Sequence, residues 1–544
     1  MNISYRISTV AEKFPDKKSV VFSKPIGGGK YEYPFYTFAE FETRSNQFAN
    51  KLIKIGITPG MRVLLFVKPC LDFSVLAFTL FKMGAIPVLI DPGMGVKNLL
   101  RSIKQVRPDA LISIGAVHWI RRVMRDSFSN LKIHVSLDPV GGRTHYLYKD
   151  LEKENKEFTP VEVLPETPAA ILFTSGGTGI PKGVIYTHGI LNAQTESLQK
   201  IFNLDETKTD LPGFALFALF TLAMGMTSVI PDMDPTKPAQ CDPKKIVTNI
   251  INNQATFVAG SPAIWKRVGE YCLSHNITLP SVKHVVMFGA PVRIELHEMF
   301  RKILPFGDTY TPYGATEFLP VAVISGREII NHHKDKMNEG FGVCLGQAVP
   351  EVEIRIAKTS DIPEREVHDL GRNQRGEIVV TGPQVTPGYF EMDEETAKAK
   401  IKMGPTLWHR MGDLGLIDSN NNLWFLGRKT HRVELGDETL YSISVESFYN
   451  QHPEVSRSAL VELNRDGVVS AGIVIERKDR AVKASSTFFS ELEEITKRNN
   501  LSGKITECFL HSSFPVDVRH NIKIDRQKLS LWASGIKGRE FSLR

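Results

Sequence analysis

Apolar residues in the first half of the chain fall into two alternating rhythms. Val63-Leu-Leu-Phe-Val67 and Ile86-Pro-Val-Leu-Ile90 are short, unbroken apolar runs of the kind that buried strands require. Elsewhere the spacing widens: Phe38, Phe41, Phe48, Ala49, Leu52 and Ile53 recur at helical intervals and predict a helix over 38–55. Ala169-Ala-Ile-Leu-Phe173, Ala255-Thr-Phe-Val-Ala259 and Lys283-His-Val-Val-Met-Phe288 add further buried-strand candidates. Short strands alternating with helices predict βαβ units, parallel sheets and an α/β fold. From about Val349 the elements shorten, with Val352-Glu-Ile-Arg-Ile356, Gly376-Glu-Ile-Val-Val380 and a turn at Asp418-Ser-Asn-Asn-Asn422. Residues 1–427 read as a large domain of mixed and parallel sheets flanked by helices, and 428–544 as a small, mobile α+β lid. Polar stretches over 358–375 and 478–486 read as surface loops, and no repeat or low-complexity segment occurs.

One stretch, Phe214 to Ile230, carries no charge. It is short for a membrane span, is interrupted by Gly225, and lies between Pro212 and Pro231. A core helix or the wall of an apolar substrate channel fits it better, with Phe217, Leu219 and Phe220 as acyl-pocket candidates.

Length and composition narrow the class. A chain of 544 residues predicts more than one domain, and 42% hydrophobic with 23% charged residues is a globular, water-soluble balance. The net charge of +7 is spread without a block of like charge. It favours phosphate-bearing substrates and is too small to argue for nucleic acid. Five scattered cysteines with no Cys-x-x-Cys suit a reducing cytoplasm and exclude a disulfide framework or a zinc motif. Met1-Asn-Ile-Ser-Tyr-Arg6 has no apolar signal region, so secretion is not expected.

The densest chemistry lies in Thr174-Ser-Gly-Gly-Thr-Gly-Ile-Pro-Lys182-Gly183, which follows a buried-strand candidate. Four glycines let backbone N–H groups close on phosphate oxygens, and three hydroxyls and one lysine add donors and charge. No Gly-Lys-Ser/Thr closes the loop, and Pro181 sits where a helix would begin, so it is not a Walker A loop. Alone it is also compatible with an ordinary glycine-rich turn. Tyr313-Gly314-Ala-Thr316-Glu317 offers an aromatic face for a purine and a carboxylate for Mg²⁺, or else a plain loop. Gly289-Ala290-Pro291 could pass its backbone beside a base or form a simple turn. Asp413 could grip two ribose hydroxyls or cap a turn, and Arg428 could neutralise phosphate or sit as a surface charge. Lys523, in Lys523-Ile-Asp-Arg526, is a catalyst only if these other motifs hold together. His332-His333 looks like a metal pair, but adjacent residues do not share a face.

Taken in order, the glycine-rich loop, Tyr313–Glu317, Gly376-Glu377, Asp413, Gly427-Arg428 and Lys523 resemble the AMP-forming adenylating enzymes. That family comprises acyl-CoA synthetases, peptide-synthetase adenylation domains and luciferases, and the resemblance covers nearly the whole chain. It implies ATP and Mg²⁺ as cofactors. Thr174, Ser175, Gly176, Gly177, Thr178, Gly179 and Lys182 would hold the β- and γ-phosphates. Tyr313 with Gly289, Ala290 and Pro291 would frame adenine, and Glu317 would bind Mg²⁺. Asp413 would hold ribose and Arg428 phosphate. Lys523 would stabilise charge as a carboxylate attacks the α-phosphorus, a role suited to a compact cation.

Three departures from the family bear on its second step, thiol capture after domain rotation. The hinge position two residues after Arg428, Asp or Lys in the family, is Thr430; a pocket histidine is replaced by Leu216-Phe-Ala-Leu-Phe220; and the usual Ser-Gly-Lys reads His520-Asn-Ile-Lys523. Similar features mark a branch, the β-lactone synthetases of bacterial long-chain olefin biosynthesis. It resembles this chain at Trp408-His-Arg-Met-Gly-Asp-Leu-Gly415, Gly427-Arg-Lys-Thr-His-Arg-Val433, Val516-Asp-Val-Arg-His-Asn521 and Val229-Ile-Pro-Asp-Met-Asp-Pro235. The resemblance implies activation of a long-chain β-hydroxy acid and lactone closure by its own hydroxyl, with other olefin-biosynthesis enzymes as possible partners. An acyl-CoA or acyl-AMP ligase, with CoA required only by the former, is the alternative. A non-catalytic nucleotide-binding scaffold is a third reading, opposed by the presence of Glu317, Asp413, Arg428 and Lys523.

Overall fold

The computed structural model describes residues 1–174, 180–479, 484–516 and 524–541. The amphipathic run at 38–55 is a helix, Phe38–Ile55, and both its ends are coded locally. Thr37 accepts a bond from the Glu40 N–H while the Glu40 side chain accepts from the Thr37 N–H, and Gly56 closes the other end at φ 107°. Its apolar face packs on helix Leu71–Lys82, which is buried along nearly its whole length. The one cation of that helix, Lys82, is buried and bonded to Glu42 (2.7 Å), Ser45 Oγ (2.8 Å) and Asn46 Oδ1 (2.6 Å). A buried ammonium needs such partners, because desolvation alone would be prohibitive.

Around this helical layer the apolar runs become sheets. A seven-stranded sheet runs in the order 182–187, 168–174, 86–90, 62–66, 110–113, 133–136, 145–146. Its members pair in parallel except at the Lys182–Thr187 edge, which turns back antiparallel on Pro168–Thr174. A fourteen-stranded sheet joins two textures. The parallel strands Thr209–Pro212, Phe257–Gly260, His284–Met287 and Asp308–Ala315 lead into antiparallel strands that include Phe318–Ser325, Leu423–Arg428, Thr406–Ile417 and Gly376–Thr381. The expected α/β architecture of mixed and parallel sheets is what the chain adopts.

Beyond residue 455 a four-stranded sheet is built from Val455–Arg465, Val468–Arg477, Ile505–Leu510 and Arg539–Glu540. Helices Ser442–Asn450, Ser486–Arg498 and Arg526–Ser534 pack on it with their own apolar clusters. Arg526 reaches Glu446 with both guanidinium arms (3.0 and 2.6 Å), while the Leu460 N–H donates to the same carboxylate. This α+β section meets the preceding chain through Arg293 donating to the Ser456 carbonyl and Gln451 to that of Asn338, each at 2.7 Å.

The charge-free stretch is neither a span nor one helix. It divides into a 3₁₀ turn Ala215–Phe217, a short helix Ala218–Ala223 and a strand Thr227–Ile230, with Gly225 in the left-handed region between the last two. Glycine there ends the helix and allows the turn into the sheet. Among the described residues no helix is long and apolar enough to cross a membrane, and no group of three His, Cys, Asp or Glu could hold a metal.

A buried ion pair ties the antiparallel end together. Glu377 and Arg410 meet at 2.5 Å with almost no exposure, and Arg410 also donates to the carbonyls of Ser360, Ile362 and Lys398. Glu377→Ala leaves this guanidinium buried without its counter-charge and is expected to lose about 3–5 kcal/mol. The paired change Glu377→Leu with Arg410→Met should lose less. Urea midpoints of the two variants check the order, and equal midpoints for Glu377→Ala and the natural chain would contradict it.

Candidate active site

The hairpin Asp308–Ala315/Phe318–Ser325 carries the first candidates to one place. Gly314 stands where a Cβ would lie 2.8 Å from the Phe318 carbonyl oxygen, so only glycine lets the two strands close this tightly. Tyr313, on the strand rather than in a loop, donates its phenol to Asp413 Oδ2 at 2.6 Å. Asp413 lies in strand Thr406–Ile417 opposite Arg428, whose guanidinium is 3.0 Å from Asp413 Oδ1. Burial and the Asp413 charge push the Tyr313 phenol well above its ordinary value, so it remains a neutral donor. Asp413 in turn favours the charged form of Arg428, which keeps 47% of its side-chain surface exposed. Phenol, carboxylate and guanidinium thus line up across three strands, with the cation at the open end.

The turn after Ala315 is held from three directions. Tyr186 donates to the Thr316 carbonyl (2.6 Å), and Thr386 donates to the Glu317 carbonyl through its hydroxyl (2.7 Å) and its N–H (3.2 Å). Tyr389 donates its phenol to Glu317 Oε1 at 2.8 Å. A single carboxylate so fixed suits Mg²⁺, which takes one or two protein carboxylates and fills its other positions with water and phosphate.

Lys182 stands across from this turn. Its Nζ is 2.6 Å from Glu395 and lies over the Tyr389 ring, 4.9 Å from the centroid. The hydrogen bond from Lys182 lowers the Glu395 carboxyl below its usual range. Segment 388–395 is docked there by backbone bonds from Phe390 N to Gly183 O (2.7 Å) and Ile185 N to Gly388 O (3.2 Å). Thr174, at the other end of the glycine-rich loop, pairs with Lys182 in the ladder. Ser175, Gly176, Gly177, Thr178 and Gly179 lie outside the described residues, as does Lys523.

The apolar candidates divide. The Phe217 ring packs on Phe288 with centroids 4.3 Å apart, which places it beside the Gly289-Ala290-Pro291 turn. Leu219 packs half-buried against the N-terminal core, while Phe220 bridges, touching that core and also the cluster that holds Phe288, with its ring 6.2 Å from Phe217. A shallow apolar cleft is lined by Pro69, Phe73, Pro212, Ala215, Ile230 and Met233. Ala215 and Ile230 belong to the same charge-free stretch of chain.

Two residues escaped sequence reasoning. Lys400 and His409 are ladder partners, both buried, just behind Glu317. Lys400 donates to Thr386 Oγ1 at 3.1 Å, the hydroxyl that itself donates to Glu317. In Ala397-Lys-Ala-Lys-Ile-Lys402 the lysine reads as one more solvated helix charge. The helix ends at Ala399, however, and the chain enters a strand at Lys400 with that side chain directed inward. The signal was a lysine at the first strand position opposite a histidine flanked by Trp408 and Arg410.

An antiparallel strand pair that carries Lys182, a pinned carboxylate and a phenol–carboxylate–guanidinium line, where two sheets meet, are parts that a nucleotide-dependent enzyme requires. The chain belongs to the AMP-binding enzyme family, which matches it over residues 7–390. It is 37% identical over 552 residues to the olefin beta-lactone synthetase of Xanthomonas campestris pv. campestris, covering 98% of this chain and 97% of that protein. It is likewise 37% identical over 550 residues to the olefin beta-lactone synthetase of Stenotrophomonas maltophilia, covering 98% of each. Among solved structures, its fold is similar to the amide bond synthetase McbA from Marinactinospora thermotolerans, with a TM-score of 0.78, 21% identity and coverage of 98% and 100%. ATP-bound MatB from Rhodopseudomonas palustris has a TM-score of 0.79 at 19% identity, covering 98% and 99%. The chain is an adenylate-forming ligase.

Burial pushes Lys400 down from 10.5 to about 7, with Glu317 opposing the shift. The folded chain then binds fewer protons than the unfolded chain between those values, so this group makes stability rise with pH from about 7 and penalises folding fully below it. Lys400→Met removes the penalty. Its gain over the natural chain is expected to be on the order of a few kcal/mol at pH 6 and to shrink steadily towards pH 10. Thermal unfolding of both chains across that range checks it, and a gap independent of pH would contradict it.

Proposed function

We propose that this protein activates a long-chain β-hydroxy acid with ATP and then closes it to a β-lactone. The observation that carries the reading is the convergence of Tyr313, Asp413 and Arg428 with Glu317 and Lys182, in a chain aligned end to end with proteins named olefin beta-lactone synthetase. Tyr313 and the 289–291 turn frame adenine, Asp413 accepts from ribose hydroxyls, and Arg428 faces the α-phosphate. Lys182 and the glycine-rich loop hold the outer phosphates once Glu395 yields the lysine. Glu317 is the protein's ligand to Mg²⁺, which would neutralise phosphate charge when bound.

In the first step a carboxylate oxygen of the acid forms a bond to the α-phosphorus, and the bond from that phosphorus to the bridging oxygen breaks, releasing pyrophosphate. Cations placed before the event stabilise the charge that develops. Lys523 is assigned to the oxygens that move, as a compact cation on a flexible stem. In the second step the β-hydroxyl oxygen attacks the acyl carbon, the acyl–phosphate bond breaks, AMP leaves, and the hydroxyl proton passes to solvent. Holding nucleophile and electrophile on one molecule replaces an external thiol.

Residues 428–544 are proposed as the lid, and the hinge segment supports a lid that turns little. Lys429 donates to the Ser360 carbonyl at 2.6 Å and lies 3.5 Å from Glu377, while Arg432 meets Asp361 at 2.8 Å. Thr430 sits between these two anchors. All five cysteines are unpaired, which fits a reducing cytoplasm. The acid and the lactone would be exchanged with other enzymes of olefin biosynthesis.

Purified protein with ATP, Mg²⁺ and a synthetic 2-alkyl-3-hydroxy acid should give AMP and lactone at the same rate with or without CoA, as followed by mass spectrometry and proton NMR. A CoA-dependent thioester without lactone would return it to the acyl-CoA ligases. Lys523→Ala should lower AMP formation by about 10²–10³ while leaving ATP binding within a few fold, since its assigned contact strengthens in the transition state. Unchanged AMP formation would remove Lys523 from the site.

A further inference from the structure

Helix Gly115–Val123 presents most of its apolar side chains outward, and only Val117 of them packs into the core. Two of its three polar residues face the protein: His118 is fully buried with Nε2 3.0 Å from the Val135 carbonyl, and Arg121 Nη1 is 2.9 Å from His134 Nε2. Its apolar residues Ala116, Trp119, Ile120 and Val123, spaced i, i+3, i+4, i+7, face outward. Trp119 is 62% exposed, Ile120 50% and Val123 82%. A surface helix ordinarily does the reverse, and a stripe of this kind marks a surface that another phase or molecule covers.

The surroundings identify that phase. Exposed Met124 extends the apolar face, and Val96 is exposed on the adjoining helix Val96–Val106, which is joined to this region by the Lys104–Asp126 pair at 2.7 Å. The exposed cations Arg122 and Arg125 flank the stripe, with the Arg122 guanidinium over the Trp119 ring at 4.5 Å, and Lys97 and Arg101 are exposed on the adjoining helix. An indole and aliphatic side chains ringed by arginine and lysine are the make-up of a helix that lies in the headgroup layer of an anionic bilayer. A protein partner of neutral or basic surface would gain nothing from that rim.

The helix follows directly on a strand of the seven-stranded sheet. Strands Arg62–Phe66 and Ala110–Ser113 run parallel in register, Phe66 beside Ser113, so the chain leaves both at the same end of the sheet. Pro69, just beyond the first strand, lines the apolar cleft, and Gly115, just beyond the second, begins the exposed helix. We infer that the face formed by Trp119, Ile120 and Val123 with Arg122 and Arg125 docks the enzyme on an anionic lipid surface. Docking rests on the helix alone and stands apart from the identity of the acid.

The test is co-sedimentation of the full chain, without substrate, with vesicles of phosphatidylcholine alone or with added phosphatidylglycerol. The natural chain is expected to bind the anionic vesicles, less at high salt. Val123→Asp should weaken partitioning by at least about tenfold, and so should the double change Arg122→Glu with Arg125→Glu. ATP–pyrophosphate exchange in solution should remain at the natural rate, showing that the variants fold. Absence of binding to anionic vesicles, or binding indifferent to these substitutions, overturns the inference. So does a dimer, seen by light scattering, that Val123→Asp dissolves, because a second copy would then cover the face.

Discussion

The Thr316–Glu317 turn is where the two large sheets are fastened together, and the candidate site exists because of how that fastening is made. Tyr186 comes from the seven-stranded sheet, the turn from the fourteen-stranded sheet, and Thr386 and Tyr389 from the segment that crosses between them. Buried carbonyls at such a junction must be hydrogen-bonded or they destabilise the fold. The residues that satisfy them also fix one carboxylate at the crevice where an open α/β sheet binds ligands. Structural and chemical demands therefore fall on the same few atoms. Lys400, behind Thr386, shows how far the demand reaches, since a buried cation is retained in contact with the hydroxyl that steadies Glu317.

The same junction explains the state of Lys182. Glu395 and the Tyr389 ring supply the Lys182 ammonium with a counter-charge and a π-face. Both partners belong to the segment docked on Lys182–Thr187. On the proposed reading, exchanging Glu395 for phosphate would couple nucleotide binding to the packing of that segment.

Much of this was legible in the chain. Helix Phe38–Ile55 and strand Ile86–Ile90 fall where the apolar rhythm places them, because local caps and β-branched runs agree with the tertiary packing. Tyr313, Asp413 and Arg428 could be named as chemistry but not as a line, since their meeting depends on ladder pairings between distant strands. Lys400 was hidden by a helix that ends one residue before it. The outward face of Gly115–Val123 was hidden for the opposite reason: periodicity gives an amphipathic helix but not which side meets the sheet. The loop 175–179 and Lys523 were read from the sequence alone and lie outside the described residues.

The central claim is that the carboxylate is activated and the hydroxyl attacks, which the fate of the oxygens tests most directly. Substrate carrying ¹⁸O in both carboxylate positions should yield AMP with one label and lactone with one label, in the carbonyl. If the hydroxyl were activated instead and displaced by the carboxylate, AMP would be unlabelled and the lactone would keep both labels, contradicting the account.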